Sequence, residues 1–299
     1  MVDSQLDLTR RRFLQFPSAR VPAILLRFAR RKPVGAFSAS VILVMLFVAL
    51  AAPWIAPYPY DQLDIPARLQ GPSLQHFAGT DVQGRDVFSR VLFGANTSVI
   101  VGFGAVIFST LLASTIGIIS GYKSGLFDTL VQRVVDVWQS FPGLIFVIFL
   151  VAILGASRPT LIVTMGLLFS AGTSRLVRGA TIAISSESFV DAARSLGATD
   201  LRIWLRHVLP NVFPVILISM SLRVGGAIIL ESSLSFLGYG TPPPYPSWGG
   251  MLQESQSHMI EHPNLAVVPG LAIAIAVYSF NMFGDALRDV LDPRLRGGR

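Results

Sequence analysis

Ser188-Phe189-Val190-Asp191-Ala192-Ala193-Arg194-Ser195-Leu196-Gly197-Ala198-Thr199-Asp200-Leu201-Arg202-Ile203-Trp204-Leu205-Arg206-His207-Val208-Leu209-Pro210 is a charged island in an otherwise apolar chain. Phe189, Ala192, Ala193 and Leu196 recur at i, i+3, i+4 and i+7, and Leu201, Trp204, Leu205 and Val208 repeat that spacing. Between the two stripes stands Gly197, which can take the left-handed conformation that ends a helix. Ser188 with Asp191 fits a Ser-x-x-acid capping box, Thr199 is placed to cap a second helix, and Pro210 is expected to stop it. The reading is helix, tight turn, helix, too short and too charged to cross a bilayer. Such a pair must face water or a partner, and docking into a groove on a cytosolic protein is one use of it. An ordinary interfacial loop helix is the plainer one.

The surroundings set the class. Of 299 residues, 52% are hydrophobic and 14% charged, against about 25% charged in an average soluble domain, and mean hydropathy is +0.60. This is the composition of a polytopic membrane protein. Cysteine is absent, which excludes disulfides, thiolate metal sites and a cysteine nucleophile. The net charge of +7 lies in particular loops without an aromatic-basic surface, so it is read as a topology signal and not as nucleic-acid binding.

In chain order, residues 1–33 form a basic arm, expected in the cytoplasm. Arg10-Arg11-Arg12 there resembles a twin-arginine signal, but Pro17 and Arg20 interrupt the apolar stretch such a signal needs. Residues 21–31 have the pattern of a short amphipathic helix on the membrane surface. Charge-free runs at 34–56 and 98–120 each exceed the ~20 residues needed to span a bilayer. The intervening loop, 57–97, is polar and proline-bearing. A third span carries Asp128, Arg133 and Asp136 in its first half, where they should face protein or water, and Pro142 should kink it. A fourth begins at 160 and ends near Arg175 and Arg178. The fifth covers 213–238, the loop 239–264 is proline-rich, the sixth covers 265–283, and a short charged tail follows. The organisation is therefore an arm (1–33), a first span with its external loop (34–97), a main transmembrane domain (98–287, with the charged island in 185–210), and a tail (288–299).

Six spans place both termini on one side. The arm, the 121–127 turn, the 174–210 segment and the tail hold eighteen Lys/Arg, against four (Arg68, Arg85, Arg90 and Arg158) in the opposite loops. That asymmetry assigns the termini and the helical pair to the cytoplasm.

Asp191-Ala192-Ala193-Arg194-Ser195-Leu196-Gly197, followed by His207-Val208-Leu209-Pro210, resembles the Glu-Ala-Ala coupling motif of ABC importer membrane subunits, with Asp191 in place of the usual Glu. Other motifs narrow the resemblance to the C-type permease subunit of the peptide, nickel and glutathione importers. They are the stretch 79–90, which includes Asp81, Gly84, Arg85, Asp86 and Arg90; Ser233-Leu234-Ser235-Phe236-Leu237-Gly238; Pro246-Ser247-Trp248-Gly249; and Phe280-Asn281 with Gly284-Asp285 and Leu291-Asp292-Pro293-Arg294. The match runs from about Trp54 to Arg296. It implies an all-α, six-span type I ABC importer permease of the bacterial inner membrane. It also implies a homologous B-type permease subunit, one or two cytosolic ABC ATPases and an extracytoplasmic solute-binding protein. On this resemblance, Asp191, Ala192, Ala193, Arg194, Gly197, Leu205, His207, Leu209 and Pro210 couple to the ATPase, and alternating access follows its closure. Transport of di- or oligopeptides or glutathione is expected.

The chain contains no Gly-x-x-x-x-Gly-Lys-Ser/Thr loop, so energy must come from another subunit or from a gradient. A gradient-driven secondary transporter is the alternative, and a membrane metallohydrolase a third class. His258-Met259-Ile260-Glu261-His262 matches a His-x-x-Glu-His zinc pattern, but Pro263 follows at once and no further acidic ligand is expected on that side, so no metal or other cofactor is expected. Arg223 and Glu231, two turns apart in the fifth span, are read as a structural pair, with each other or with the partner subunit, or as lining the path. Ser170, Thr173 and Ser174 read as packing residues. Arg85 and Asp86 suit contact with the binding protein or partner permease, or a loop-bracing ion pair. The loop 242–248, stiffened by prolines and carrying Trp248, is assigned by the resemblance to an outer gate or docking surface.

Overall fold

In the computed structural model, residues 28–30 and 32–291 are described. The basic arm to residue 27, Arg31 and the tail from 292 lie outside the described residues, and with them most of the amphipathic stretch 21–31 and the 292–294 part of the last motif. Apart from one bridge between Thr80 and Asp86, the regular elements among the described residues are helices. They are α1 (Pro33–Ile55), α2 (Val87–Lys123), α3 (Gly125–Gln139), α4 (Gly143–Leu154), α5 (Arg158–Ser185), α6 (Ser188–Ser195), α7 (Asp200–Ile203), α8 (Leu209–Phe236), α9 (Trp248–Ser255) and α10 (Asn264–Leu291). A π turn, Trp204–Val208, joins α7 to α8.

Five helices are long and apolar enough to cross a membrane, and the pair α3 and α4 makes a sixth if taken as one span. The pair is bent by 86°, a break where the sequence predicted a kink. Pro142, at φ −58° and ψ 123°, leaves the helical region, and Trp138 and Phe141 fold against Phe146 with ring centroids 5.4 and 6.4 Å away. Of the charges of α3, Asp128 and Asp136 meet arginines of α5, and Arg133 is exposed. Asp128 is buried and accepts from Arg178 Nε at 2.6 Å, and Asp136 pairs with Arg175.

The most extensive packing is α2 against α5. Ala113, Gly117 and Gly121 make a small-residue stripe on α2. A Cβ on Gly117 would meet the Ser174 carbonyl at 2.6 Å, and one on Gly121 the Arg178 carbonyl at 2.8 Å. Glycine here lets two backbones approach closely, as helices in lipid require. Ser170, Thr173 and Ser174 bond back to carbonyls of their own helix, at Leu167, Phe169 and Ala171, in keeping with packing roles. Val101, Leu161, Met165, Ile228 and Phe280 form the central core. The rim is apolar too: Phe37, Leu43 and Phe47 of α1 and Ile145, Phe149 and Ile153 of α4 are exposed, as a lipid-facing surface demands.

Several boundaries differ from expectation. α2 starts at Val87, eleven residues before the charge-free run, because the Asp86 carboxylate caps it by accepting from Ser89 N at 2.7 Å. α5 runs to Ser185 because its arginines find carboxylate partners. The loop 239–264 contains α9, capped by Ser247, and α10 continues eight residues past 283. Pro210 does not end its helix. Its predecessor turn is π-wound, which takes up the ring and the missing N–H, and Asn211 Nδ2 donates to the His207 carbonyl at 2.6 Å. Lys32 Nζ at the head of α1 lies 2.5 Å from Asp289 Oδ2 near the end of α10, so the first and last helices finish at the same end of the bundle.

Candidate functional site

The charged island folds as helix, turn, helix. α6 starts at Ser188, whose N-cap is Glu187 without a side-chain bond, and Thr199 likewise makes no capping bond. The anticipated capping box is therefore absent. Gly197 has φ +78°, the left-handed turn expected of it. Val190, Ile203 and Val208 are fully buried against Ile118, Val177, Val212 and Ile216. The predicted stripes split: Val208 and the half-buried Ala193 and Trp204 pack inward, while Phe189, Leu196, Leu201 and Leu205 point the other way and are 41%, 88%, 60% and 59% exposed. Leu205 therefore does not hold the second helix down; Ile203 and Val208 do. The outcome is an apolar strip facing away from the bundle.

Tyr122, on the last turn of α2, fastens the island. Arg194 Nη2 donates to its hydroxyl at 3.3 Å, and that hydroxyl donates to Asp200 Oδ1 at 3.0 Å. The Arg194 guanidinium also lies over the Tyr122 ring, 5.6 Å from its centroid, and the ring packs edge-on to Trp204 at 5.7 Å. Bonding to Tyr122 pushes the Arg194 pKa up, so it stays cationic. Asp191, exposed, reaches Arg194 at 3.3 Å. Ala192 is exposed and Ala193 half-buried, His207 and Leu209 are half-buried, and Pro210 is exposed.

At the other end of the bundle, Glu231 is fully buried and accepts from Ser235 Oγ at 2.8 Å and Ser98 Oγ at 3.1 Å, with Ser232 Oγ at 3.5 Å. Arg223 is not its partner. Arg223 lies over Phe169, 5.6 Å from the ring centroid, beside Gly172, and forms no ion pair among the described residues. Arg158, at the start of α5, donates from Nη2 to Thr97 Oγ1 at 2.9 Å, next to the Ser98 that bonds Glu231.

The external-loop motif closes on itself. Arg85 Nε donates to Asp81 Oδ2 at 2.6 Å and its Nη2 to Glu254 Oε2 at 2.7 Å; Arg90 Nη1 donates to Asp81 and, at 2.7 Å, to Glu254. Asp81, Arg85, Asp86 and Arg90 are all buried. Arg85 thus braces the loop through Asp81 and Glu254, not through Asp86, which caps α2 and lies 3.0 Å from His76 Nδ1. Gly84 has φ +77°, and a Cβ there would fall 1.7 Å from the Asp64 carbonyl. Trp248 is buried and donates to the Val91 carbonyl at 3.0 Å. His258 and Glu261 occupy turns and His262 lies in irregular backbone just before α10, and no group of three metal-ligating side chains occurs among the described residues.

The family described as binding-protein-dependent transport system inner membrane component matches residues 113–297. The chain belongs to that family. A second match, to the N-terminal TM domain of oligopeptide transport permease C, covers residues 23–72. Curated relatives include the glutathione transport system permease protein GsiD of Escherichia coli O157:H7 and of Shigella boydii serotype 4 (strain Sb227). Each is 41% identical over 274 residues, covering 90% of this chain and 89% of the relative. A solved structure of the MetNI methionine ABC transporter, inward facing (CY5 SeMet soak crystal form), shares the fold at TM-score 0.56 and 16% identity, covering 68% of this chain and 96% of that one. This permease is therefore a membrane-spanning subunit of an ABC importer, a class that carries transport rather than catalysis and works with ATPase, solute-binding and second permease partners.

Three residues of the permease sites escaped sequence reasoning. Tyr122 closes an apolar span and looks like its interfacial end, Glu254 is 169 residues from Arg85, and Arg158 reads as one more loop cation. Each acts through a contact between distant helices, and only a capping or pairing rule with a known partner would have found it.

Proposed function

We propose that this chain is the C-type half of a peptide importer, with glutathione or a small peptide of similar kind as solute. The observation that carries this is the 41% identity over 90% of the chain to permeases of glutathione transport. In this reading a homologous B-type permease completes the path, one or two cytosolic ATPases supply the energy, and an extracytoplasmic protein delivers the solute. ATP hydrolysis belongs to those separate subunits. Both termini and the island 185–210 face the cytoplasm, a reading supported by the Lys/Arg asymmetry and by the common end shared by Lys32 and Asp289.

The exposed strip of Phe189, Leu196, Leu201 and Leu205 is the surface offered to the ATPase groove, about the size and pattern of a helix-in-groove anchor. Asp191, Ala192, Ala193, Arg194, Gly197, His207, Leu209 and Pro210 shape or border it. Closure of the ATPases would pull this strip and rock the spans. Arg223 and Glu231 belong to the path or its subunit interface, and Asp81, Gly84, Arg85, Asp86, Arg90 and Trp248 hold the outer loop in shape. The test is reconstitution of the chain with the permease, ATPase and binding-protein genes that neighbour it. ATP-dependent glutathione uptake is expected; uptake that persists without the ATPase, driven by an ion gradient, would overturn the reading.

A further inference from the structure

Arg223 lies at the middle of α8 and Gly172 at the middle of α5, each about 20 Å from the ends of a 28-residue helix at ~1.5 Å per residue. An arginine at that depth in a span is costly unless water or an anion meets it. Among the described residues Arg223 makes no hydrogen bond and no ion pair, and its guanidinium, half-buried over the Phe169 ring, keeps accessible donors. Gln139, the last residue of α3, ends beside it. A Cβ on Gly172 would meet Arg223 Nη2 at 3.2 Å and Gln139 Nε2 at 3.6 Å. The Gln139 carboxamide is exposed and likewise unbonded among the described residues. The side chain missing from α5 thus leaves a notch walled by donor groups of α3 and α8.

The walls set the chemistry of what the notch can hold. A guanidinium only donates, and a carboxamide nitrogen donates as well. An unmatched positive charge with parallel N–H groups suits a carboxylate. One helical turn away, Asp136 of α3 and Arg175 of α5 form an ion pair whose side chains are 46% and 42% exposed. Arg133 lies 3.9 Å from the same Asp136 carboxylate, so that acid is already matched and does not draw on Arg223. Exposed charges within spans must face water and not lipid, and a closed contact with a second permease would bury this pair. The face shared by α3, α5 and α8 is therefore wet, which favours a passing solute over a fixed acid of the partner subunit.

We propose that the Gly172 notch is a mid-membrane subsite for a carboxylate of the transported peptide, with Arg223 and Gln139 as its specificity-determining donors. The inference rests on the peptide reading above and names a site for it. Phe169 holds the guanidinium flat and the glycine leaves room for the two carboxylate oxygens. Glu231, two turns along the same helix, is engaged by its serines, so the arginine charge is left for the solute.

The test is thiol labelling of the assembled complex in lipid nanodiscs. The chain has no cysteine, so Gly172→Cys, or Gln139→Cys as a second reporter, is the only thiol on it. The anionic reagent sulfonatoethyl methanethiosulfonate is expected to modify that thiol about tenfold faster than the cationic trimethylammonioethyl reagent, relative to a free thiol, as a focused positive potential requires. Arg223→Gln should abolish the preference and Arg223→Lys should keep it. S-methylglutathione should slow the labelling, its diethyl ester should not, and Arg223→Gln should remove the protection. No anion preference, a preference that survives Arg223→Gln, no protection by S-methylglutathione, or equal protection by acid and ester would each overturn the subsite. So would release of the second permease by Arg223→Gln on copurification, the sign of a salt bridge to that subunit. Protection without ATP-dependent glutathione uptake by the unsubstituted complex would instead overturn the transport reading and leave the subsite standing.

Discussion

Arg158 and Glu231 do not touch, yet each is bonded to one of two consecutive residues of α2. Thr97 accepts from the arginine and Ser98 donates to the carboxylate. Among the described residues, Glu231 is therefore tied to α2 through Ser98, next to the residue that holds Arg158, rather than to Arg223 two turns away on its own helix. Thr97 also donates to the Pro246 carbonyl at 2.8 Å, so the same junction reaches the proline loop.

Glu231→Gln keeps an acceptor for the three serines and is expected to retain assembly and at least half the uptake. Glu231→Leu removes it. The freed hydroxyls can bond back to their own helix, so the stability cost should stay near 1–2 kcal/mol, while uptake falls severalfold. Thermal unfolding of the purified complex beside initial uptake rates separates the two effects, and normal transport by the leucine variant would remove Glu231 from the path.

A Cβ added at Gly197 would meet no heavy atom within 4 Å, so the role of this glycine is conformational and not steric. Gly197→Val forces a β-branched residue to φ +78°, costing about 1–2 kcal/mol, and should lower ATPase copurification strongly. Gly197→Asn, which tolerates that region, should retain most of it. Equal loss in both would mean that bulk, not backbone, is what the site rejects.

Tyr122→Phe keeps the ring against Trp204 but removes the bridge between Arg194 and Asp200. Membrane insertion should be unchanged and stability lower by about 1 kcal/mol. ATPase activity stimulated by binding protein should drop a few-fold, because α6 loses its tie to α2. A stimulation curve identical to that of the parent would show the bridge to be ornamental.

Asp81→Asn leaves two buried guanidiniums with Glu254 alone and is expected to cost about 3–5 kcal/mol. Glu254→Gln should cost less, about 1 kcal/mol, because that side chain is one-third exposed and solvent screens it. Abundance in membranes and unfolding midpoints give the order of the two directly.

What the sequence could and could not disclose follows the range of each interaction. Gly197 was readable because a left-handed turn is a property of one residue, and the spans because hydropathy runs are local. The face of the charged island that packs was not: Val190 and Ile203 lie inside and Leu196 and Leu205 outside, because Ile118 and Val177 come from other helices. The same reason hid the partners of Glu231, since a shared face along one helix says nothing of what the neighbouring helices bring. Pro210 misled because a proline stops an α turn, and the turn before it is wider. The outer motif was recognisable as a string of residues, but its closure needed Glu254 from the far end of the chain.

From Asp200 to Phe236 the backbone is helical without interruption for 37 residues, a length of roughly 55 Å at ~1.5 Å per residue. One end carries Leu201 and Leu205, bare on the surface, and the other carries Glu231 beneath the proline loop. No hinge loop separates them. A one-residue axial step at the first end must appear as ~1.5 Å at the second unless the π turn absorbs it, which makes that single wide turn the one place where a displacement of the bare leucines can be lost before it reaches Glu231.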